Sequence, residues 1–190
     1  MYPLLGAAVA LVHGIQGLSQ PLVLSRNIIA RMYRRCDNST QTCPSDYITY
    51  WNDPEILALN PHEETALTKA GAIRLLVRSD ESGSTRAFRS VLETWDPTYL
   101  SLMSGVDING GDWPGIDVVK IQGAQAMAGA FLNGVYVPPG MSNIGYTLMR
   151  YVNGLNLNVI GVTESTRDAA VFPVPDSITR GYYERSISRS

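Results

Sequence analysis

The sequence predicts an α/β fold with a mostly parallel sheet and helices on both faces, and three observations lead there. Short apolar runs rich in β-branched residues alternate with segments of helical periodicity along most of the chain. Most helical segments open at a residue able to cap them. The chain has 190 residues, the length of one ordinary domain, enough to bury a core of its own.

Taken in order, residues 3–15 read as a buried strand ending at Gly14 and Gly17. The run from Leu4 to Ile15 also has the look of an export signal. It lacks a basic start and carries Pro3, so the strand is the preferred reading. Pro21–Leu24 is a short extended segment. Ser25 caps a helix in which Ile28, Ile29, Met32 and Tyr33 recur at helical spacing through Arg35. A polar loop bearing Cys36 and Cys43 follows, then a short segment around Ile48–Trp51. Asn52-Asp53-Pro54-Glu55 is a strong helix start, with a cap, a first-turn proline and an acidic residue at the positive end. That helix carries Ile56, Leu57 and Leu59 and stops at Asn60-Pro61, and residues 62–70 read as a polar connection.

Ile73–Val77 is a compact apolar strand. A helix is expected from about Thr85 to Trp95, with Ala87, Phe88, Val91 and Leu92 on one side, and a shorter one from Pro97 to Met103. Residues 104–117, rich in Gly and Asp, read as an irregular loop, and Ile116–Ile121 as a strand. Gln122–Leu132 is an alanine-rich helix suited to close packing on a sheet, closed by Asn133-Gly134. A short strand and turn at 142–146, a helix ending near Asn153-Gly154 and a strand at Leu157–Val162 complete the set. The expectation is one domain over 1–175 and a polar tail over 176–190.

Charge and composition exclude several classes. The formal net charge is −2 and no basic run exceeds Arg34-Arg35, so a nucleic-acid footprint is absent. No apolar stretch reaches the roughly 18–20 residues of a membrane helix. The two histidines, His13 in an apolar run and His62 in a polar loop, stand apart from any nucleophile, and no nucleophile-elbow, Walker or zinc-protease pattern occurs. Asp107, Asp112 and Asp117 lack the spacing of a calcium loop. Neither a cofactor nor an enzymatic activity is expected.

Two cysteines closing a short polar loop suit a disulfide, Cys36–Cys43, better than a four-ligand zinc site, and two free thiols on a cytosolic loop are the other reading. Asn38-Ser39-Thr40 places a glycosylation acceptor in that loop. Together they point to an extracellular or secretory-pathway setting.

The most informative stretch is Leu75–Phe88. An apolar strand feeds a polar turn, Ser79–Ser84, which opens a helix; Ser82 and Ser84 are both credible caps, and Gly83 lets backbone approach a ligand. First-turn amides are unpaired and converge where the macrodipole favours an anion. Arg78 adds a planar fork suited to a tetrahedral oxyanion. The same residues also read as a capped strand-to-helix turn beside a surface arginine.

Here the chain resembles a known family. Arg78-x-Asp80-x-Ser82-Gly83-Ser84-Thr85, followed by Phe88, is similar to the phosphate-contacting turn of the phosphate-binding proteins of bacterial ABC phosphate uptake. Leu24-Ser25, Trp51-Asn52-Asp53-Pro54-Glu55-Ile56, Leu59-Asn60-Pro61 and Ile144-Gly145-Tyr146 resemble further stretches of that family in the same order, and Gln122–Ala130 sits where a glycine-started helix is expected.

The resemblance implies one three-layer lobe of a type II periplasmic-binding-protein fold, with hinge strands. It implies phosphate held by Arg78, Ser82, Gly83, Ser84 and Thr85, with Asp80 orienting Arg78. It also implies half a site, because the family's first lobe and the carboxylate that accepts the phosphate proton have no counterpart in the sequence. Half a site in open solvent gives affinity on the order of millimolar. The other function consistent with this pattern is a non-catalytic structural or interaction domain that kept the fold and lost tight binding, with a protein partner or a second copy over the surface where the first lobe would lie.

Overall fold

A computed structural model describes residues 8–34, 43–103, 105–107, 113, 118–132, 136–164 and 168–173. The described elements are β1 (Val9–His13), β2 (Val23–Ser25), α1 (Arg26–Met32), α2 (Pro54–Leu59), α3 (Glu64–Ala70), β3 (Ala72–Arg78), α4 (Gly83–Trp95), α5 (Pro97–Leu102), β4 (Val118–Ile121), α6 (Ala124–Leu132), β5 (Met141–Leu148), α7 (Met149–Leu155) and β6 (Gly161–Thr163). Four strands form a sheet in the order β1-β5-β3-β4. β3 runs parallel to β4 and β5, and β1 lies antiparallel to β5. β2 and β6 form a separate parallel pair.

β3 explains the layering. Its residues alternate between faces. Ile73, Leu75 and Val77 enter a core with Ile28, Tyr33, Phe88, Leu92 and Tyr146. Leu76 enters a second core with Met127, Ala128, Phe131 and Val152. A strand buried on both faces reads as a nearly continuous apolar run, as Ile73–Val77 does apart from Arg74. Helices therefore cover both faces: α1 and α4 on one, α6 and α7 on the other. Of the small residues of α6, Ala128 and Ala130 are buried in the core with Leu76, while Ala126 is exposed. Phe131 lies against Gly145 of β5, where an added Cβ would stand 2.8 Å from both the ring and the Leu76 carbonyl.

Capping behaves as the local sequence dictates. Ser25 Oγ accepts from the Ile28 amide at 3.2 Å, and Asp53 accepts from the Glu55 amide at 2.9 Å ahead of Pro54. Ser25→Ala is expected to cost about 1 kcal/mol in chemical denaturation, with the m-value unchanged. Asn60 does more than stop α2. It is 5% exposed, and its amide donates to the Val23 and Ile56 carbonyls, each at 2.8 Å, while accepting from the Val23 amide at 2.9 Å. One side chain thus stands in for a strand partner on the edge of β2.

Several expectations are corrected. The polar connection over 62–70 is helix α3 from Glu64 onward. Leu67 and Ala70 are its only buried residues, so little apolar periodicity betrays it. It ends at Gly71 with φ 69°, where an added Cβ would fall 2.0 Å from the Gly140 carbonyl oxygen, leaving room for glycine alone. The short strand at 142–146 is an eight-residue strand that runs directly into α7. Its polar members Asn143 and Thr147 are buried, which hides the strand from an apolar reading. The last strand begins at Gly161, because Val159 instead bridges Val12 of β1. Helix α4 starts at Gly83, two residues before the expected Thr85, and Ala87 is exposed.

Cys36, Asn38, Asp112, Asp117, the closing Asn133-Gly134 and the tail over 176–190 lie outside the described residues. Among the described residues no helix is long and apolar enough to cross a membrane, and no three His, Cys, Asp or Glu gather to hold a cation.

Candidate functional site

The candidate site lies beyond the carboxyl ends of the parallel strands β3 and β4, the usual place for ligands in open α/β sheets. β3 ends at Arg78, and the four-residue turn 79–82 leads into α4, whose capping position is Ser82. The next strand, β4, ends at Ile121, and α6 opens just beyond Gly123. The Ser79 amide donates to the Ile121 carbonyl at 3.0 Å, which holds the two strand ends together.

Arg78 is 8% exposed, and Asp80 grips it in a two-point pair. Arg78 Nε donates to Asp80 Oδ1 at 2.7 Å, and Nη2 donates to Oδ2. The Gly123 amide also donates to Asp80 Oδ1, at 2.9 Å. The guanidinium, helped by that amide, holds the Asp80 carboxyl down at about 2. This pair is the contact through which Asp80 would orient the guanidinium. The pair is neutral in sum, and two of the five guanidinium N–H groups are spent on it. The other three lie outside the pair.

The start of α4 supplies the other donors. Its first intrahelical bond runs from the Arg86 amide to the Ser82 carbonyl at 3.1 Å, so the amides of Gly83, Ser84 and Thr85 precede the helical ladder. Ser82 holds the capping position without capping by its side chain. Its hydroxyl lies 2.7 Å from Ser84 Oγ instead. Gly83 is exposed and Ser84 half-buried, while Ser82 is 8% exposed. The structure thus brings Arg78, Asp80, Ser82, Gly83 and Ser84 to one place. Thr85 differs. Its side chain is fully buried, and its hydroxyl lies 2.8 Å from the Tyr146 hydroxyl, so only its amide faces the helix start.

The chemistry of the cluster is one-sided. It offers backbone amides, two hydroxyls and the guanidinium N–H groups outside the Asp80 pair; the Asp80 carboxylate is already engaged, and Glu81 of the same turn is exposed and paired with Arg86. Such a set suits an acceptor-rich tetrahedral oxyanion and has little to offer a cation or a hydrogen-bond donor.

Two participants are invisible to local sequence reading: the Gly123 amide that steadies Asp80, and Tyr146, whose hydroxyl reaches the Arg78 amide at 3.3 Å. The Ile144-Gly145-Tyr146 motif is the signal that pointed at the second. No signal marked the first beyond the helix start that follows it.

No family model and no curated protein matches the chain. Among solved structures, the chain is similar to a possible phosphate binding protein from Planctomyces limnophilus, with a TM-score of 0.56 at 12% identity. The match covers 92% of this chain and 48% of that one, so the chain spans about half of that protein's length. At this identity the likeness speaks for the fold: the chain has a mixed α/β, binding-protein-like fold of a single lobe, with a mostly parallel sheet flanked by helices.

Proposed function

We propose that this chain is a binding module for phosphate or a similar tetrahedral oxyanion, held at Arg78, Ser82, Gly83, Ser84 and the Thr85 amide, and that it acts by binding or sensing rather than by catalysis. The observation that carries the reading is the donor set at 78–85, in which an oriented guanidinium and uncapped helix amides meet at the carboxyl ends of β3 and β4. The similar solved structure, by its own description a possible phosphate binding protein, supports it. A binding role is also favoured by the hydrogen bonding of Ser82, whose hydroxyl is engaged by Ser84 and not by a base. No cofactor and no nucleic acid enter the proposal.

Calorimetry with inorganic phosphate tests it. A dissociation constant on the order of millimolar is expected for one lobe, and Arg78→Ala is expected to weaken binding by about tenfold or more. Absence of heat at roughly ten millimolar ligand would remove the reading. Sulfate is expected to bind within a few-fold of phosphate, because among the described residues the turn's carboxylates are engaged, Asp80 by Arg78 and Gly123 and Glu81 by Arg86, and neither is free to single out a protonated oxyanion.

An extracellular or secretory placement, with a Cys36–Cys43 bridge and a glycan at Asn38, belongs to the same proposal. Expression through a secretory host followed by peptide mapping, with and without reduction, tests it.

One observation favours a second reading. Arg78 is held by Asp80 with no ligand present. A structural or interaction domain that kept the fold would look the same on this face. Exposed Tyr50, Leu132, Tyr136 and Val171 offer apolar surface to a partner or second copy. Light scattering that shows a monomer at all concentrations counts against self-association.

A further inference from the structure

Tyr146 is 1% exposed, and its hydroxyl touches two parts of the candidate site at once. It accepts the Arg78 amide N–H at 3.3 Å and lies 2.8 Å from Thr85 Oγ1. A buried hydroxyl proton requires an acceptor. The Arg78 amide is a donor, so among the described residues Thr85 Oγ1 is the acceptor at hand, and Tyr146 donates to it. The bridge therefore has a direction: Arg78 amide to Tyr146 oxygen, Tyr146 proton to Thr85.

The two ends of this bridge belong to different elements. Arg78 is the last residue of β3 and carries the guanidinium of the site. Thr85 lies in the first turn of α4, among the amides that precede the helical ladder. Between them runs the turn that holds Asp80 and Ser82. Tyr146 itself is held from three sides. Strand β5 pairs with β3 just below it, Leu76 opposite Gly145, and with β1, Leu11 opposite Tyr146. Its ring packs on Phe88 of α4 at 4.8 Å between centroids and on Trp113 at 6.2 Å.

We propose that Tyr146 is a positioning residue for the oxyanion site: its hydroxyl sets the spacing between Arg78 and the start of α4, and so the fit of the donors to a tetrahedral anion. The inference rests on the oxyanion reading above and names a part of that site which touches no ligand.

The test uses the whole chain, inorganic phosphate as probe, and amide chemical shifts of Gly83 and Ser84 followed by NMR. In the unaltered protein these shifts move with phosphate. Tyr146→Phe is expected to raise the dissociation constant about five- to tenfold, the scale of one lost hydrogen bond. Thr85→Val removes the acceptor and is expected to do the same, and the double variant to be no worse than either single one, since both break one bridge. Tyr99→Phe is the control. Tyr99 is equally buried, and its hydroxyl has no partner among the described residues, so its removal leaves the constant unchanged.

If the unaltered protein shows no response to phosphate, the oxyanion reading fails and the inference falls with it. A normal response together with unchanged affinity in Tyr146→Phe overturns the inference alone. Multiplicative losses in the double variant also overturn it, because they show two independent effects. Should Tyr146→Phe fail to fold, Thr85→Val decides: unchanged affinity there rejects the bridge, and the expected loss supports it.

Discussion

Replacing Arg34 by Met is expected to lower stability by about 3–5 kcal/mol, as measured by chemical denaturation. Arg34 follows α1 and meets two carboxylates. Its Nε and Nη2 donate to Asp96 Oδ2 at 2.8 and 2.6 Å, and its Nη1 donates to Asp46 Oδ2 at 2.5 Å. The Arg34 and Asp96 side chains are each 5% exposed. Asp96 closes α4 and caps α5, where its Oδ1 accepts from the Thr98 amide at 2.9 Å. Removing the cation leaves a buried carboxylate with one amide for company, and it is that uncompensated charge which carries the cost. The double variant Arg34→Met, Asp96→Leu is therefore expected to be less damaged than Arg34→Met alone, although it also loses a helix cap. A single variant within about 1 kcal/mol of the parent would show that Asp96 is rehydrated and the pair is not a buried one.

The contrast with Arg31 sharpens this. Arg31 also meets two carboxylates, Asp46 at 3.7 Å and Glu55 at 2.7 Å, but those side chains are 49% and 55% exposed. Water replaces lost partners there, and such pairs contribute about 0–1 kcal/mol. Two arginines three residues apart on the same segment thus have opposite importance. Nothing in their local sequence separates them, because the difference lies in Asp96, 62 residues along the chain.

That example shows how far local reading reaches in this fold. The starts of α1 and α2 were legible at Ser25 and Asp53-Pro54 because a cap acts within a few residues of itself. The β3 run was legible because both faces are buried. The core of the candidate site was legible for the same local reason: Arg78, Asp80, Ser82, Gly83 and Ser84 lie within seven consecutive residues, so one strand end and one helix start assemble them. Helix α3 and the full length of β5 were not legible. In α3 only Leu67 and Ala70 are buried, and in β5 the buried positions include Asn143 and Thr147, so burial there does not coincide with apolar side chains. The supports of the site came from afar. Gly123 is 43 residues from Asp80, and Tyr146 is 61 from Thr85. The resemblance names Thr85 beside Ser82 and Ser84, whereas helical geometry turns the Thr85 side chain inward to the core and leaves its amide at the helix start.

Acidification from about pH 6.5 to about pH 4 is expected to destabilise the fold by about 3 kcal/mol through His13 alone. His13 ends β1 and is 4% exposed, and burial pushes its imidazole down to about 4 from an ordinary 6.5. The neutral ring is also the useful one, since Nδ1 accepts from the Ile15 amide at 3.2 Å and an imidazolium has no acceptor to offer. The sign follows from proton uptake. Above about pH 6.5 neither state is protonated, and His13 adds no pH dependence. Between 6.5 and 4 the unfolded chain binds the proton and the folded chain does not, so stability falls by about 1.4 kcal/mol per pH unit. Below about 4 both are protonated, and the loss is complete. Asp80 acts in a lower window: its depressed carboxyl contributes stability above 3.8, and that contribution fades towards about pH 2. Thermal or urea unfolding as a function of pH reads the two windows separately. His13→Asn keeps an acceptor for the Ile15 amide and is expected to flatten the profile between 6.5 and 4 while leaving the lower window in place. A parent profile already flat in the upper window would mean that His13 is hydrated in the fold. The strand concerned pairs His13 with Ile144 and Leu11 with Tyr146, so only protonation of the folded chain, below about pH 4, disturbs the backing that holds Tyr146 against Arg78 and Thr85. Sulfate affinity of the folded protein is accordingly expected to hold level in the upper window, in the parent and in His13→Asn alike, while stability falls only in the parent.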